Sequence, residues 1–265
     1  MTPLLSVREM SRTLGTGGFR LDVPAIDLVP GACLAVVGPS GSGKSTLLGL
    51  LALALAPDRA ARFVLCPPDV HGPAAEPGAA PIDLAALWRN GRREALAALR
   101  ARLIGFVPQT GGLLPFLSIG ANIALPLAIL GRDRDDRTGR SAGARTAALA
   151  TALGIGHLLN RRPDQVSVGE RQRASLARAL IGAPALLLAD EPTAALHPGQ
   201  AVSAMALLVA TATETRAALI VATHDEPLAR ATGLEVARLV PDLDGQASSC
   251  FAWSGDAALA AGAEP

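Results

Sequence analysis

The pattern of apolar and polar positions predicts strands and helices that alternate along the chain. Two early segments alternate between apolar and polar side chains, as strands with one buried face do. Later runs are continuously apolar, which is typical of strands buried on both faces of a parallel sheet. The predicted strands cover residues 4–8, 19–23, 32–37, 62–66, 103–107, 185–189, 218–223 and 236–240.

Helical periodicity fills most of the intervals between these strands. One helix begins after Gly38, where the run at 32–37 stops, and continues through Leu47 and Leu51. Residues 111–163 show no convincing strand, so we expect a helical lobe inserted into an α/β domain. The other predicted helices cover residues 83–100, 119–130, 142–153, 169–180, 199–212 and 226–231.

Local composition sets the expected limits of the domain. Residues 67–81 are rich in proline, glycine and alanine, which predicts a surface loop. From residue 242 the chain is rich in alanine, glycine and serine, which predicts a loosely structured tail at 242–265. We therefore interpret residues 1–241 as one α/β domain, with the helical subdomain inserted at about 111–163.

Charge and hydropathy restrict the partners to be expected. The net charge of +1 gives no concentrated basic field, so nucleic acid is not expected as a partner. The longest apolar stretches, at 47–56 and 123–130, are well short of the roughly 20 residues that a membrane-spanning helix needs. Any membrane role should therefore act through a partner. The three cysteines have no paired metal-ligand spacing and are typical of unlinked thiols in a reducing compartment.

Lys44 is the only lysine among 24 basic side chains. A chain that otherwise uses arginine keeps lysine where a compact ammonium must fit. Lys44 belongs to a G-x-x-x-x-G-K-[ST] pattern between a strand and a helix, where backbone N–H groups and the helix N-terminus bind phosphate. Lys44 would contact the β- and γ-phosphates, and Ser45 would bind Mg²⁺. The candidate phosphate-binding residues are Gly38, Pro39, Ser40, Gly41, Ser42, Gly43, Lys44, Ser45 and Thr46.

Polar side chains follow three other predicted strands. Asp190 and Glu191 end one apolar strand, His224 follows a second, and Gln109 follows a third. Ligands of open α/β sheets bind at the carboxyl ends of the strands. We expect Asp190 and Gln109 to bind Mg²⁺ and Glu191 to act as general base on the attacking water. His224 is expected to contact the γ-phosphate.

The segment from Ser167 to Arg173 begins a predicted helix and permits two interpretations. Ser167 and Glu170 have the spacing of a capping box, in which each side chain binds the other residue's backbone N–H. Alternatively, the Ser167 hydroxyl, the Gly169 N–H and the helix N-terminus together form a second site for phosphate.

These elements, in this order, resemble the ATP-binding cassette (ABC) ATPase family over roughly residues 4–240. The matching motifs are the Walker A loop at 38–45, the Q-loop at Gln109, the signature segment from Ser167 to Glu170, Walker B with its glutamate at 186–191, and the switch histidine His224. The resemblance implies an α/β P-loop NTPase core with an antiparallel β subdomain and an inserted helical subdomain. It also implies an active ATPase that uses ATP and Mg²⁺.

The resemblance further implies two kinds of partner. Two identical or related subunits would pack head to tail, so that Ser167, Gly169 and Glu170 of one complete the ATP site at Lys44 of the other. The helical lobe and the Q-loop would contact a separate transmembrane permease, which ATP hydrolysis powers. The chain would then be cytoplasmic and peripheral on the inner face of the cell membrane.

Residues 113–127 resemble one subgroup of the family, which contains the lipoprotein-releasing, macrolide-exporter and cell-division ATPases. Three positions depart from the family pattern. Leu14 stands where an aromatic residue normally stacks on adenine, and Phe19 is a candidate replacement. His197 stands where the D-loop normally has aspartate. Val168 replaces the first glycine of the signature segment.

Two other functions stay open from the sequence. One is an ATP-gated regulator of a membrane partner, of the cell-division type, in which turnover is secondary; the altered D-loop at His197 favours it. The other is a soluble ABC ATPase that acts on nucleic acid. Such proteins usually carry two cassettes, coiled-coil insertions or zinc modules, and this sequence has none of these features.

Overall fold

The strands form one ten-stranded mixed sheet in a computed structural model that describes residues 2–15, 18–67, 80–132, 139–241 and 248–253. The strands are β1 (Leu5–Leu14), β2 (Phe19–Leu28), β3 (Cys33–Val37), β4 (Arg62–Leu65), β5 (Ile82–Asp83), β6 (Ile104–Val107), β7 (Leu186–Asp190), β8 (Ala218–Thr223), β9 (Glu235–Pro241) and β10 (Ser248–Ala252). Their order across the sheet is β5-β4-β1-β2-β10-β9-β3-β8-β7-β6. The first four pair antiparallel, whereas β9, β3, β8, β7 and β6 run parallel.

The central parallel strands β3, β7 and β8 are buried on both faces, as their apolar runs predict. In β3, Leu34 and Val36 belong to one hydrophobic cluster, and Ala35 and Val37 belong to a second. The same alternation occurs in β7 and β8. Since successive side chains of a strand project to opposite faces, a strand covered by helices on both faces needs apolar residues at every position.

The helices are α1 (Lys44–Leu51), α2 (Leu84–Arg89), α3 (Arg93–Leu103), α4 (Ile119–Ile129), α5 (Ala142–Ala152), α6 (Val168–Leu180), α7 (Pro198–Thr215) and α8 (Glu226–Ala231). Helices α4 and α5 lie in the described part of residues 111–163 and both pack against α6. The division of the chain into a core and a helical subdomain at these limits stays a prediction.

Three predicted segments have other limits in the structure. Strands β1 and β2 are each ten residues long, because they pair with each other from Leu5 opposite Leu28 to Leu14 opposite Phe19. The helix expected at 83–100 is two helices, α2 and α3. Gly91 has a φ of 63°, in the left-handed region that commonly ends a helix, and this turn separates them.

The structure also differs from the expectation of a loosely structured tail at 242–265. Residues Ser248–Ala252 form β10, which pairs parallel with β2 and antiparallel with β9. Phe251 is buried in the core, and this apolar contact fixes a segment whose other side chains are small. Residues 242–247 and 254–265 lie outside the described residues, as do residues 68–79 of the loop predicted at 67–81.

Candidate functional site

The glycine-rich loop connects β3 to α1 at the carboxyl edge of the parallel strands. Gly41 and Gly43 have φ values of 81° and 91°, which only glycine adopts readily. A Cβ atom on Gly38 would lie 2.6 Å from Oγ of Ser42 and 3.1 Å from the carbonyl oxygen of Leu239. The loop therefore depends on glycine for its tight turn. It brings the N-terminus of α1 to the sheet edge, where backbone N–H groups can bind phosphate.

Lys44 is held inside this loop with its charge close to an acidic residue. Its Nζ donates hydrogen bonds to the carbonyl oxygens of Gly38 at 2.8 Å and of Pro39 at 3.0 Å. The same Nζ lies 3.5 Å from Oε1 of Glu191, and the Lys44 side chain is only 8% exposed. The ammonium is therefore already positioned where the phosphates of a nucleotide would enter.

The two acidic residues lie at the end of β7, beside the loop. Oδ1 of Asp190 is buried and has no hydrogen-bond partner among the described residues. Glu191 has a φ of 46°, a conformation that costs roughly 1–3 kcal/mol for a residue other than glycine. Its backbone N–H donates to the carbonyl oxygen of Ala222 at 2.9 Å, which fixes the turn against β8.

His224 closes the cluster from the end of β8. Its Nδ1 lies 3.0 Å from Oε2 of Glu191, so one carboxylate contacts both Lys44 and His224. The next turn is fixed because Thr223 accepts a hydrogen bond from the N–H of Asp225, whose side chain caps α8. The sequence pattern expected Lys44, Glu191 and His224 at one edge, and the structure brings them into contact.

Other predicted residues lie at the same edge without joining this cluster. Gln109 is exposed two residues beyond β6, which pairs in parallel with β7 so that Val107 is opposite Ala189. Among the described residues it makes no hydrogen bond with Asp190 or Glu191. Ser45 is exposed in the first turn of α1.

The signature segment forms the capping box. Ser167 caps α6: its Oγ accepts from the N–H of Glu170 at 3.4 Å, and Glu170 Oε2 accepts from the N–H and the hydroxyl of Ser167, each at 2.8 Å. The hydrogen bond from the backbone N–H of Ser167 contributes most to lowering the pKa of the Glu170 carboxyl, and the bond from the Ser167 hydroxyl lowers this pKa further.

Ser167 and Gly169, at the start of α6, lie near α7. They line a pocket of about 430 Å³ between α6 and α7, to which Leu196 and Gln200 contribute and the phosphate loop does not. Both interpretations of the segment are thus compatible with the structure, and the second stays a prediction.

The fold and this cluster define a P-loop nucleotide-binding protein: a glycine-rich loop with a lysine between a buried strand and a helix, facing the acidic end of a parallel strand. A family model described as "ABC transporter" matches residues 21–194, and the chain belongs to this family.

Relatives of known name are similar over most of the chain. The lipoprotein-releasing system ATP-binding protein LolD 2 of Caulobacter vibrioides is 38% identical over 231 residues, which cover 86% of this chain and 91% of that protein. The corresponding LolD of Pseudomonas fluorescens is 35% identical over 230 residues, covering 86% of this chain and 91% of that protein. The macrolide export ATP-binding/permease protein MacB of Syntrophobacter fumaroxidans is 34% identical over 86% of this chain but only 29% of MacB.

Solved structures share the fold. The dimeric post-hydrolysis structure of the ATP-binding cassette MJ0796, bound to ADP and Pi, has a TM-score of 0.69 and 26% identity, and covers 92% of this chain and 96% of that chain. These similarities confirm the expected family, the P-loop ABC fold and the class of ATP-hydrolysing transporter subunits. In the described parts of the chain, no helix is long and apolar enough to cross a membrane.

Proposed function

We propose that this chain binds and hydrolyses ATP to power a separate transmembrane permease. The contact of Lys44, Glu191 and His224 at the carboxyl edge of the parallel sheet carries this proposal. It joins a phosphate-binding cation to a carboxylate that can accept a proton from water. The relatives named as ATP-binding proteins of lipoprotein-releasing systems support a transport role.

The phosphate loop supplies hydrogen-bond donors for the nucleotide phosphates in this proposal. Residues 38–46, apart from Pro39, provide backbone N–H groups at the N-terminus of α1, which favour negative charge. Lys44 exchanges its bonds to the Gly38 and Pro39 carbonyl oxygens for bonds to phosphate oxygens. The hydroxyl of Ser42, buried without a partner among the described residues, is a further donor inside the loop.

The residues beside the loop fit Mg²⁺. Oδ1 of Asp190 is a buried oxygen without a hydrogen-bond partner in the described structure, and a buried carboxylate oxygen is costly unless a cation or donor binds it. Ser45 and Gln109 add neutral oxygens at the same edge, and Mg²⁺ prefers oxygen ligands. When bound, the ion neutralises charge on the β- and γ-phosphates.

Glu191 is the proposed general base. A phosphate that draws Lys44 away from Oε1 leaves this carboxylate free to accept a proton from a water molecule beside the γ-phosphate. His224 holds the other oxygen, Oε2, through Nδ1 and orients the carboxylate. Its exposed ring is positioned to contact the γ-phosphate, and Gln109 is proposed to orient the water.

The ATP site is proposed to be shared by two subunits packed head to tail, identical or related. Ser167, Gly169 and Glu170 of one subunit would face the phosphates held by Lys44 of the other. The similarity to the dimeric structure of MJ0796 supports this arrangement. The Ser167 hydroxyl donates to Glu170 in the single chain, and an incoming phosphate would compete for that hydrogen.

The permease partner places the chain on the inner face of the cell membrane, as a peripheral subunit. A regulator of a membrane partner, with turnover secondary, is the second candidate because His197 stands where the D-loop normally has aspartate. His197 is the N-cap residue of α7 and makes no side-chain cap hydrogen bond. The two candidates differ in whether the partner stimulates steady ATP turnover.

The test is affinity purification of tagged Glu191→Gln chain from its native cells in mild detergent with ATP and Mg²⁺. Removing the base should trap the ATP-bound assembly, so an integral membrane protein should co-purify stoichiometrically. Lys44→Ala, which cannot hold ATP, is the control and should recover less of it. Co-purification of nucleic acid or soluble proteins without a membrane protein would contradict the transport role. Reconstituting wild-type chain with the captured protein and measuring ATP turnover then separates transporter from regulator.

A further inference from the structure

Gln109 lies in a tight turn between β6 and the segment that leads to α4. The N–H of Gly111 donates to the carbonyl oxygen of Pro108 at 2.9 Å, which closes the turn around Gln109 and Thr110. Gly111 and Gly112 have φ values of 73° and 57°, in the left-handed region that favours glycine. A Cβ atom on Gly112 would lie 2.7 Å from Cγ of Pro108. The backbone therefore follows one tightly packed course directly after Gln109.

The guanidinium of Arg178, in the last turn of α6, binds both glycines of this turn. Its Nη1 donates to the carbonyl oxygen of Gly112 at 2.6 Å, and its Nη2 donates to that of Gly111 at 3.0 Å. A planar group that donates to two consecutive carbonyl oxygens fixes both their position and their orientation. Helix α6 also packs closely on β6, since a Cβ atom on Gly105 would lie 2.4 Å from the carbonyl oxygen of Ala179. The same end of α6 thus holds both the strand and the turn that follows it.

The charge of Arg178 has no acidic partner in the described parts of the chain. The side chain is half-buried, and burial lowers the pKa of its guanidinium without a carboxylate to oppose this effect. Buried donors are costly unless they have acceptors, and here the acceptors are the carbonyl oxygens of Gly111 and Gly112. Arg178 therefore connects α6 to the turn rather than forming an ion pair.

We infer that Arg178 is a positioning residue, which fixes the turn and so directs the Gln109 side chain toward Mg²⁺ and the attacking water. This inference rests on the proposed function, in which Gln109 contacts both. The exposed Gln109 side chain makes no hydrogen bond of its own in the described structure, so the course of the backbone determines where it points. Residues that hold a metal ligand in place typically change metal affinity or activity by roughly 10–100-fold when they are replaced.

The experiment is a double-mutant cycle on steady-state ATP turnover of the purified chain at saturating ATP and Mg²⁺. Gln109→Ala and Arg178→Met should each lower kcat about tenfold. Because Arg178 acts through Gln109, the double variant should also be about tenfold slower than wild type, whereas independent effects would multiply to about a hundredfold. Gly112→Ala disturbs the same turn and should likewise slow the wild-type chain but have little further effect on Gln109→Ala.

The matched control is Arg100→Met, which removes another arginine bonded to a backbone carbonyl oxygen, that of Leu53 at 2.8 Å. It should leave kcat within about twofold and multiply with Gln109→Ala, as distant sites do. Thermal unfolding verifies that each variant is folded. If Arg178→Met is not, Arg178→Lys replaces it in the cycle, because lysine keeps the charge but lacks the planar pair of donors.

Three results would overturn the inference. The first is a multiplied loss in the double variant, which would show that Arg178 acts independently of Gln109. The second is wild-type turnover in the folded Arg178 variant, and the third is wild-type turnover in Gln109→Ala; both leave the proposed ATPase intact. A wild-type chain that releases no phosphate from ATP would instead refute the proposed function, and this inference with it.

Discussion

Lys44 occupies a space that suits only a slender cation. Its side chain is almost fully buried, and its Nζ lies between two loop carbonyl oxygens and within 3.5 Å of Oε1 of Glu191. A guanidinium is wider and planar, and its five donors cannot all be satisfied there. The chain has 24 basic residues, of which one is lysine and 23 are arginine. The narrow space around Nζ explains why this position keeps lysine.

The first prediction is that Lys44→Arg strongly lowers the rate of ATP hydrolysis. The bulkier head should displace the loop and lose the point charge at the γ-phosphate, lowering kcat for ATP on the order of 10²–10³-fold. The measurement is steady-state phosphate release with saturating ATP and Mg²⁺. The reverse exchange at an exposed site, Arg59→Lys, is the control and should leave the rate within about twofold. Wild-type turnover in Lys44→Arg would show that shape does not select lysine here.

The second prediction concerns Asp27, which pairs with Arg8 across the β1–β2 hairpin. Burial raises the pKa of this carboxyl, but hydrogen bonds from Arg8 and Ser6 together outweigh burial and lower it. A carboxyl whose folded-state pKa is lowered stabilises the fold above its unfolded value near 4, and that stability is lost as the pH falls through the lowered pKa. Asp27→Asn should therefore cost about 1 kcal/mol at pH 7 and progressively less below about pH 4.

Urea denaturation of both proteins at several pH values measures this difference. Asp22→Asn is the control, because it removes a more exposed contact with Arg20 on the same strand and should cost less at pH 7. A difference for Asp27→Asn that stayed constant down to acid pH would show that the carboxylate charge is not what stabilises the hairpin.

At the scale of elements, the sequence predicts best where one local pattern is sufficient. Strands β3, β7 and β8 follow from continuous apolar runs, and the phosphate loop follows from eight consecutive residues. The strand β10 was missed because Phe251 is its only large apolar residue, and because its partners, β2 and β9, are identified only by tertiary pairing. The contact of Glu191 with Lys44 likewise depends on the order of the strands in the sheet. The sequence alone predicts only that both residues lie at the same edge of the sheet.

The third prediction tests the polar anchor of helix α4. Asn122 is fully buried; its Oδ1 accepts from the N–H of Leu114 at 2.7 Å, and its Nδ2 contacts the carbonyl oxygens of Leu114, Leu117 and Ser118. Asn122→Ala removes the partners of the Leu114 N–H and the Leu117 carbonyl oxygen, whereas the carbonyl oxygens of Leu114 and Ser118 still accept from the backbone N–H groups of Leu117 and residue 122. The expected loss is about 2–4 kcal/mol in the free energy of unfolding, more than the roughly 1–3 kcal/mol for one unsatisfied group.

Chemical denaturation monitored by circular dichroism measures that loss. Ser118→Ala removes only the cap of the same helix and should cost about 1 kcal/mol, which provides a scale for the local effect. If Asn122→Ala cost no more than Ser118→Ala, the segment before α4 would be held by its apolar contacts rather than by this amide.

At the scale of the whole molecule, the residues proposed for the ATP site lie in two places in one chain. Lys44 and Glu191 are in contact, whereas Ser167 and Gly169 line a pocket against α7. A symmetric pair of chains would unite such parts. In a two-fold interface every contact between a residue of one subunit and a residue of the other occurs a second time with the subunits exchanged, so both sites are completed. Gly169 provides a clean probe of this arrangement. An added Cβ at this position would meet nothing within 4 Å in the single chain.

The last prediction is that two inactive variants restore activity when mixed. Lys44→Ala lacks the phosphate cation, and Gly169→Gln leaves the single chain intact but obstructs the partner's nucleotide. In a mixed dimer, one site combines the intact Lys44 of one chain with the intact Gly169 of the other, and both defects fall on the second site. Half of the dimers in an equal mixture are mixed after the subunits have exchanged under native conditions. Each mixed dimer has one intact site of two, so independent sites should give about a quarter of wild-type ATP turnover. Activity no higher than that of each variant alone, with exchange verified by differently tagged chains, would mean that Gly169 does not act across the interface.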